Sequence, residues 1–361
     1  MDAALEEYVR IAQVAPLYES VPPKLYGGTE RVVSYLTEEL VRAGHEVTLF
    51  ASGDSQTTAN LVSPCPQALR LDPNCVDRLA YHILMLEEIY QLYDEFDIVH
   101  FHIDYLHFPC SRRRTIPHVT TLHGRLDLAD LVPLYRKFTE IPVVSISDSQ
   151  REPLPWLNWV GTVHHGLPEN LHSFHEEPGE YLAFLGRISP EKGVDQAIEM
   201  AKRSGVPIKI AAKIDRVDQE YFDAIIKPLL DHPLVEYIGE IDEKAKDQFL
   251  GEALALVAPV NWPEPFGLVF IEALACGTPV LAYNRGSVPE IVKDGVTGFI
   301  VADLGAATQA ISRLPELSRR DCRRHFEKRF TASRMRRDYE VVYRKTMQLN
   351  AEPPVLTAQE G

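Results

Sequence analysis

Glu264 and Glu272 stand eight positions apart, and between them the chain changes from a loop with Pro265 and Gly267 to an apolar run, Leu268-Val269-Phe270-Ile271. Pro265 can precede a helix but not sit inside one, so a helix is predicted to begin near Gly267. That leaves Glu264 in the loop and Glu272 in the second turn. At about 1.5 Å of rise per helical residue, eight positions span roughly 12 Å. Carboxylates flanking one scissile glycosidic bond sit about 5 to 9.5 Å apart, so these two do not read as such a pair. Two acids on one wall, with the bare N–H groups of a helix start between them, suit a ligand with hydroxyls at both ends and an anion in the middle. A nucleotide diphosphate sugar has that layout. The bland alternative is a loop surface charge and a solvated helix residue.

A second stretch has matching chemistry. Gly186-Arg187-Ile188-Ser189-Pro190-Glu191-Lys192-Gly193 follows an apolar run and opens a helix. It sets a planar bidentate donor, a point charge and helix N–H groups around one place, which suits a diphosphate; ordinary surface cations are the alternative. Gly27-Gly28-Thr29-Glu30, at another helix start, can let backbone approach an anion or be a tight turn. It is neither G-x-G-x-x-G nor a P-loop. His100, His102 and His123 fall at the ends of expected strands, where open parallel sheets place ligands. His123, in Leu122-His123-Gly124, could hydrogen-bond a sugar hydroxyl or phosphate, or be a satisfied core residue. The three histidines lack the spacing and carboxylate companion of a metal site, so no metal ligand is expected.

These residues need a scaffold of alternating strands and helices. Strands are predicted at 9–14, 46–50, 97–102, 118–122, 142–146 and 161–164, then at 181–185, 208–211, 235–238, 254–258, 278–282 and 299–301. Helices are expected from 193, over 219–230 and 243–250, at 288–292, and over 306–314, 319–330 and 333–347. That grammar is α/β with parallel sheets. The polar, Pro- and Gly-bearing stretch at 166–180 reads as a linker. The organisation is then 1–165, the linker, 181–332, a helix at 333–349 and a frayed tail at 350–361. The basic face across 319–337 is expected to be solvated, a membrane surface or partner being the minority reading.

The 361 residues are 45% hydrophobic and 25% charged, enough for two packed cores. A net charge of −15 argues against a nucleic-acid partner. Five scattered cysteines without a C-x-x-C pair read as reduced thiols in a cytoplasmic protein. The acidic first eight residues do not read as a signal peptide, and no apolar run reaches the length of a membrane span.

Taken together, the chain resembles glycosyltransferase family 4, whose members share the two-domain arrangement called GT-B. The resemblance rests on Gly27-Gly28-Thr29-Glu30, Leu122-His123-Gly124, Ser145 to Arg151, Gly186 to Gly193, Glu264 to Glu272 (the family's E-x7-E motif) with Ala273 to Val280, and Gly295 to Phe299. It implies two Rossmann-like domains facing a central cleft, with the C-terminal helix returning to the first. It also implies transfer of a hexose from a nucleotide diphosphate sugar, UDP-linked, to a small-molecule or glycan hydroxyl, with retention of configuration. Arg187 and Lys192 would hold the diphosphate, Glu272 the ribose and Glu264 the sugar hydroxyls. Backbone N–H groups at Phe266, Gly267 and Leu268 would face sugar and phosphate; His123 would touch the sugar, and Gly28 would approach the diphosphate from the opposite domain. No cofactor or metal is implied, and no D-x-D motif is present. The competing readings are a sugar-nucleotide epimerase or phosphorylase of the same fold, or a non-catalytic nucleotide-sugar-binding protein. His164-His165-Gly166-Leu167 stands where the family often has Asn-Gly-Val, and the loop at 211–215 lacks the usual glycines.

Overall fold

The computed structural model describes residues 8–114 and 116–351. The strands are β1 (Arg10–Val14), β2 (Glu46–Phe50), β3 (Asn60–Val62), β4 (Ile98–Phe101), β5 (His118–Thr121), β6 (Val143–Ser145), β7 (Trp159–Thr162), β8 (Tyr181–Arg187), β9 (Ile208–Lys213), β10 (Val235–Gly239), β11 (Ala253–Ala258), β12 (Val280–Tyr283) and β13 (Gly298–Val301). The α-helices are α1 (Gly28–Arg42), α2 (Arg78–Gln91), α3 (Phe108–Ser111), α4 (Leu131–Lys137), α5 (Val194–Ser204), α6 (Gln219–Tyr221), α7 (Glu243–Gly251), α8 (Leu268–Cys276), α9 (Val288–Ile291), α10 (Leu304–Ile311), α11 (Arg319–Arg329) and α12 (Ala332–Ala351). The tail expected from residue 350 lies outside the described residues, apart from 350 and 351, which continue α12.

Two parallel sheets result, one of seven strands in the order β3-β2-β1-β4-β5-β6-β7 and one of six in the order β10-β9-β8-β11-β12-β13. Each has the doubly wound order in which the chain reverses direction beside its first strand, between β1 and β4 and between β8 and β11. Such sheets place ligands beyond the carboxyl ends of the strands at that reversal. The strands there are buried on both faces, as in β1, where Ile11 to Val14 are all covered, and β4, which is covered throughout. Helix α1 forms because Val32, Val33, Leu36 and Leu40 recur on one face and are buried.

Sequence pattern and structure part at several places. The helix expected over 219–230 is a composite of α6, a π turn at Phe222–Ile226 and a 3-10 turn at Lys227–Leu229. Pro228 has no N–H to give to a regular ladder, and the tighter turn accommodates it. The apolar pattern of helix α2 does not mark it as a helix, because Leu79, Ile83 and Leu84 are exposed among its buried residues. Its one local signal is Asp77, whose side chain caps Leu79 and Ala80. The solvated basic face expected across 319–337 is corrected. Arg319 is buried and donates to the carbonyls of His175, Gly251 and Ala253, at 2.7 to 2.9 Å, and to Thr278 Oγ1. Arg323 reaches the carbonyls of Glu169, His172 and Ala275, and Arg334 those of His164 and His165. Carbonyls of the segment joining the sheets, together with those of Gly251, Ala253 and Ala275 beside it, therefore recruit guanidinium forks from α11 and α12. Arg320 and Arg324 alternate with them and are exposed.

Helix α12 packs on the first sheet: Met335, Tyr339, Val342 and Tyr343 share a core with Val9, Ile11, Val119 and Val144. The chain thus crosses between the sheets twice, and the crossings lie side by side. Leu167 N donates to Phe330 O (2.9 Å) and Ala332 N to Leu167 O (2.7 Å). A Cβ on Gly166 would lie 2.3 Å from Thr331 O, so only glycine allows this approach. No helix among the described residues is long and apolar enough to cross a membrane. Replacing Gly166 by alanine should cost about 1–3 kcal/mol through overpacking against backbone that cannot retreat. A urea midpoint equal to the wild-type value would show that the crossings spread freely.

Candidate active site

The carboxyl ends of β8 and β11 face those of β1 and β4 across a cleft of about 690 Å³. The nine positions given a donor-binding or catalytic role by the family resemblance all line it: Gly28 and His123 from the first half, and Arg187, Lys192, Glu264, Phe266, Gly267, Leu268 and Glu272 from the second.

Strand β8 ends in Arg187, and the chain turns through Pro190–Lys192 into α5. Gly193 makes that turn at φ 70°, and a Cβ on it would stand 2.3 Å from Pro259 O. The loop is thereby pressed onto the end of β11, and Asn261 N donates to Glu191 O (2.8 Å). Lys192 Nζ pairs with Glu264 and lies 5.5 Å from the Trp262 ring, while Trp262 Nε1 donates to the same carboxylate at 3.1 Å. Arg187 sits among Glu191, Asp215 and Asp218 at 3.8, 3.7 and 3.3 Å, one third exposed. Its Nε makes no proper hydrogen bond there. Partly exposed ion pairs of that length are weak, so the guanidinium is free to turn to a better acceptor.

Helix α8 begins at Leu268, with Gly267 as its N-cap at φ 82° and no side-chain cap. Its first N–H groups are therefore left for the cleft, carrying the positive end of the helix dipole. The preceding loop is held by its carbonyls: Ser147 Oγ donates to Pro265 O (2.6 Å), Ser287 N to Glu264 O (3.0 Å) and Ser287 Oγ to Phe266 O (2.7 Å). Glu272, one turn further along, is 1% exposed. Burial works against its charge, but the Lys246 ammonium, bonded to Oε1 at 2.8 Å, together with His172, holds its carboxyl below the usual range. Its Oε2 has no partner among the described residues.

The opposite wall starts at Gly28, where α1 presents a second helix N-terminus. A Cβ there would meet Leu268 Cδ1 at 3.7 Å, so the two helix starts face each other at contact distance. Arg31, on the next turn, pairs with Glu243 across the cleft. His123 follows β5; its ring stacks on His165 at 5.3 Å, and burial pushes it down to about 3, so it is a neutral imidazole. His102 also lines the cleft, whereas His100 is fully buried behind it.

Sequence reasoning missed Lys246, Arg31, Trp262 and His165, all of which line the cleft. Lys246 and Arg31 are single cations on otherwise ordinary amphipathic helices, and nothing local marks them. His165 was visible as a departure from Asn-Gly-Val. His172 groups with Asp247 and Cys276, and with Glu243 and Glu272, with donor atoms within 4.8 Å, so these residues could hold a cation. In the first trio burial pushes the Cys276 thiol up, and Asp247 Oδ1 accepts from Ser173 N (2.5 Å). In the second trio Glu272 is engaged by Lys246.

The family model described as Glycosyltransferase Family 4 matches residues 26–148, and that described as Glycosyl transferases group 1 matches 171–329. The alpha-maltose-1-phosphate synthase of Mycolicibacterium smegmatis is 25% identical over an alignment 333 residues long that covers 80% of this chain and 84% of that protein. The D-inositol 3-phosphate glycosyltransferase of the same organism is 33% identical over 138 residues, 37% of this chain; the match spans about a third of that relative, 32% of its length. Among solved structures, AviGT4, a glycosyltransferase involved in avilamycin A biosynthesis, superposes with a TM-score of 0.74 at 24% identity, covering 94% of this chain and 98% of that one. Anabaena HepE, solved in complex with UDP and glucose, does so at 0.73 and 16% identity, covering 94% and 100%. With both halves matched in order and two doubly wound sheets enclosing one cleft, the chain belongs to the family 4 type of glycosyltransferases and has their GT-B fold.

Proposed function

We propose that the protein transfers a hexose from a UDP-linked sugar to a hydroxyl acceptor with retention of configuration. The observation that carries this reading is the convergence in one cleft of two cations, two separated acids and two opposed helix starts. Diphosphate oxygens fit between Arg187, Lys192 and the N–H groups at Gly267 and Leu268. Glu272, with Oε2 unpartnered, can accept from the ribose hydroxyls, and Glu264 from hydroxyls of the sugar. That HepE was solved with UDP and glucose supports the choice of nucleotide.

In the reaction the bond from the anomeric carbon to the β-phosphate oxygen breaks, and a bond from that carbon to the acceptor oxygen forms on the same face. The acceptor's proton passes to the departing phosphate oxygen, so no protein carboxylate has to act as base. Lys192, Arg187 and the α8 amides stabilise the charge that develops on the leaving diphosphate. These groups supply positive charge from the protein itself, and donor binding is proposed to need no metal.

Ligand exchange of ion pairs is part of the proposal. Lys192 is neutralised by Glu264 before the donor arrives, and Arg187 by its three carboxylates. The diphosphate takes over both cations and frees Glu264 for the sugar.

Three measurements test this reading. In a thermal-shift panel of UDP-, GDP- and ADP-sugars, UDP-sugars should raise the melting temperature by a few degrees, since saturation at a hundred times Kd adds about 2.7 kcal/mol; no response to any UDP compound would remove the donor assignment. With the donor in hand, Lys192→Ala should lower kcat by about 10²–10³-fold, as expected for loss of one transition-state donor. Glu272→Ala should instead weaken UDP binding by at least about tenfold. Turnover unaltered by Lys192→Ala would mean that the cation lies away from the chemistry.

A further inference from the structure

Behind His123 runs a continuous chain of buried polar groups. His123 Nε2 lies 2.8 Å from His102 Nδ1, and His102 Nε2 lies 2.9 Å from Gln13 Oε1. Gln13 Nε2 donates to the Tyr343 hydroxyl at 2.9 Å. That hydroxyl lies 2.7 Å from His100 Nδ1, His100 Nε2 lies 2.7 Å from Thr121 Oγ1, and Thr121 Oγ1 lies 2.9 Å from the Tyr339 hydroxyl. The chain begins on β1, β4 and β5 and ends on α12, and every member except His123 is fully or almost fully buried.

With the Gln13 amide turned so that Nε2 faces the Tyr343 hydroxyl and, at 3.5 Å, His100 Nδ1, each link from there toward the cleft dictates the next. An amide oxygen only accepts, so His102 carries its proton on Nε2. Burial pushes His102 well below the usual histidine range, so its ring is neutral and Nδ1 is a bare lone pair. That lone pair accepts from His123 Nε2, so the neutral His123 ring is bare at Nδ1. His123 Nδ1 is buried and has no protein partner among the described residues, while the ring it belongs to lines the cleft. An orphan acceptor there is also less costly than an orphan N–H. Stacking on His165, which packs edge-on against Phe266 at 4.8 Å, limits rotation of the ring.

We propose that Gln13, His102 and Tyr343 are positioning residues that fix the tautomer of His123, so that its Nδ1 lone pair accepts a hydrogen bond from a hydroxyl of the donor sugar. This rests on the donor reading above. The consequence is that α12, far along the sequence from either phosphate-facing loop, sets the polarity of the sugar-facing wall through Tyr343. A site whose bare acceptor must be met favours a ligand with a hydroxyl able to donate at that point over one lacking it.

The test is long-range proton–nitrogen NMR on the full chain with labelled histidine, without ligand, combined with affinities for UDP-glucose and UDP. Wild type should show His123 protonated at Nε2 alone. Tyr343→Phe removes one oxygen from a packed ring and lets the Gln13 amide turn, so His102 and His123 should become tautomer mixtures. The preference for UDP-glucose over UDP should then fall by about tenfold, the loss of one hydrogen bond, with UDP affinity unchanged. Gln13→Glu keeps only acceptors toward His102 and should retain the wild-type tautomer, whereas Gln13→Leu should not. His123 protonated at Nδ1 in wild type, or one unchanged tautomer in both Tyr343→Phe and Gln13→Leu, would overturn the relay. If wild type binds UDP-glucose no better than UDP, the donor reading and the sugar contact fail together, while the tautomer result still decides the relay by itself.

Discussion

The loop at 263–267 has to satisfy its carbonyls on the protein so that the amides after it can face a ligand. Pro263 and Pro265 contribute no N–H, and the carbonyls of Glu264, Pro265 and Phe266 are each taken by a serine. Ser287 belongs to the second half, but Ser147 reaches over from the first. The backbone that presents Glu264 and opens α8 is therefore clasped by both lobes. A second clasp lies alongside: the Glu290 carboxylate accepts from Asp148 N and Ser149 N at 2.8 Å and from His164 Nε2 at 3.0 Å. The run from Ser145 to Arg151 thus sits at the junction between the lobes, bonded both to the loop at 263–267 and to Glu290.

The electrostatics of the cleft follow from the same economy. A chain of net charge −15 keeps a few cations at one place in the cleft, each already opposed by acids, which is what the proposed diphosphate donor would require. Lys192 faces Glu264, Lys246 faces Glu272 and Glu243, and Arg31 faces Glu243. Unpaired cations buried in a cleft would cost desolvation energy with no return, whereas exchanging one oxygen partner for another leaves the charges satisfied before and after binding. The helix amides carry the part of the positive potential that needs no counterion.

Placing the two doubly wound sheets face to face gives each wall a distinct duty. The second supplies charge and helix amides, through loops after β8 and β11. The first supplies neutral imidazoles after β4 and β5, backed by a buried polar chain that ends on α12. That helix also closes the first core through Met335, Tyr339, Val342 and Tyr343, so stability of that half and polarity of its wall share the same side chains.

By itself the sequence determined what is local. The apolar periodicity of α1, the break at Pro265, the start of α8 near Gly267 and the strand-to-helix turn at Arg187 follow from spacing and backbone chemistry within a few residues. Because ligand sites in such sheets lie at strand ends, the nine cleft residues could be named from those turns and from family motifs. Only the tertiary structure decided which strand ends meet and which charges pair. Lys246 with Glu272, Arg31 with Glu243, the carbonyls under Arg319 and the link from Gln13 to Tyr343 each join residues from separate elements. The basic run at 319–337 shows why: an arginine on a helix carries no mark of whether it will face water or a buried carbonyl, since that depends on the segment another part of the chain lays against it.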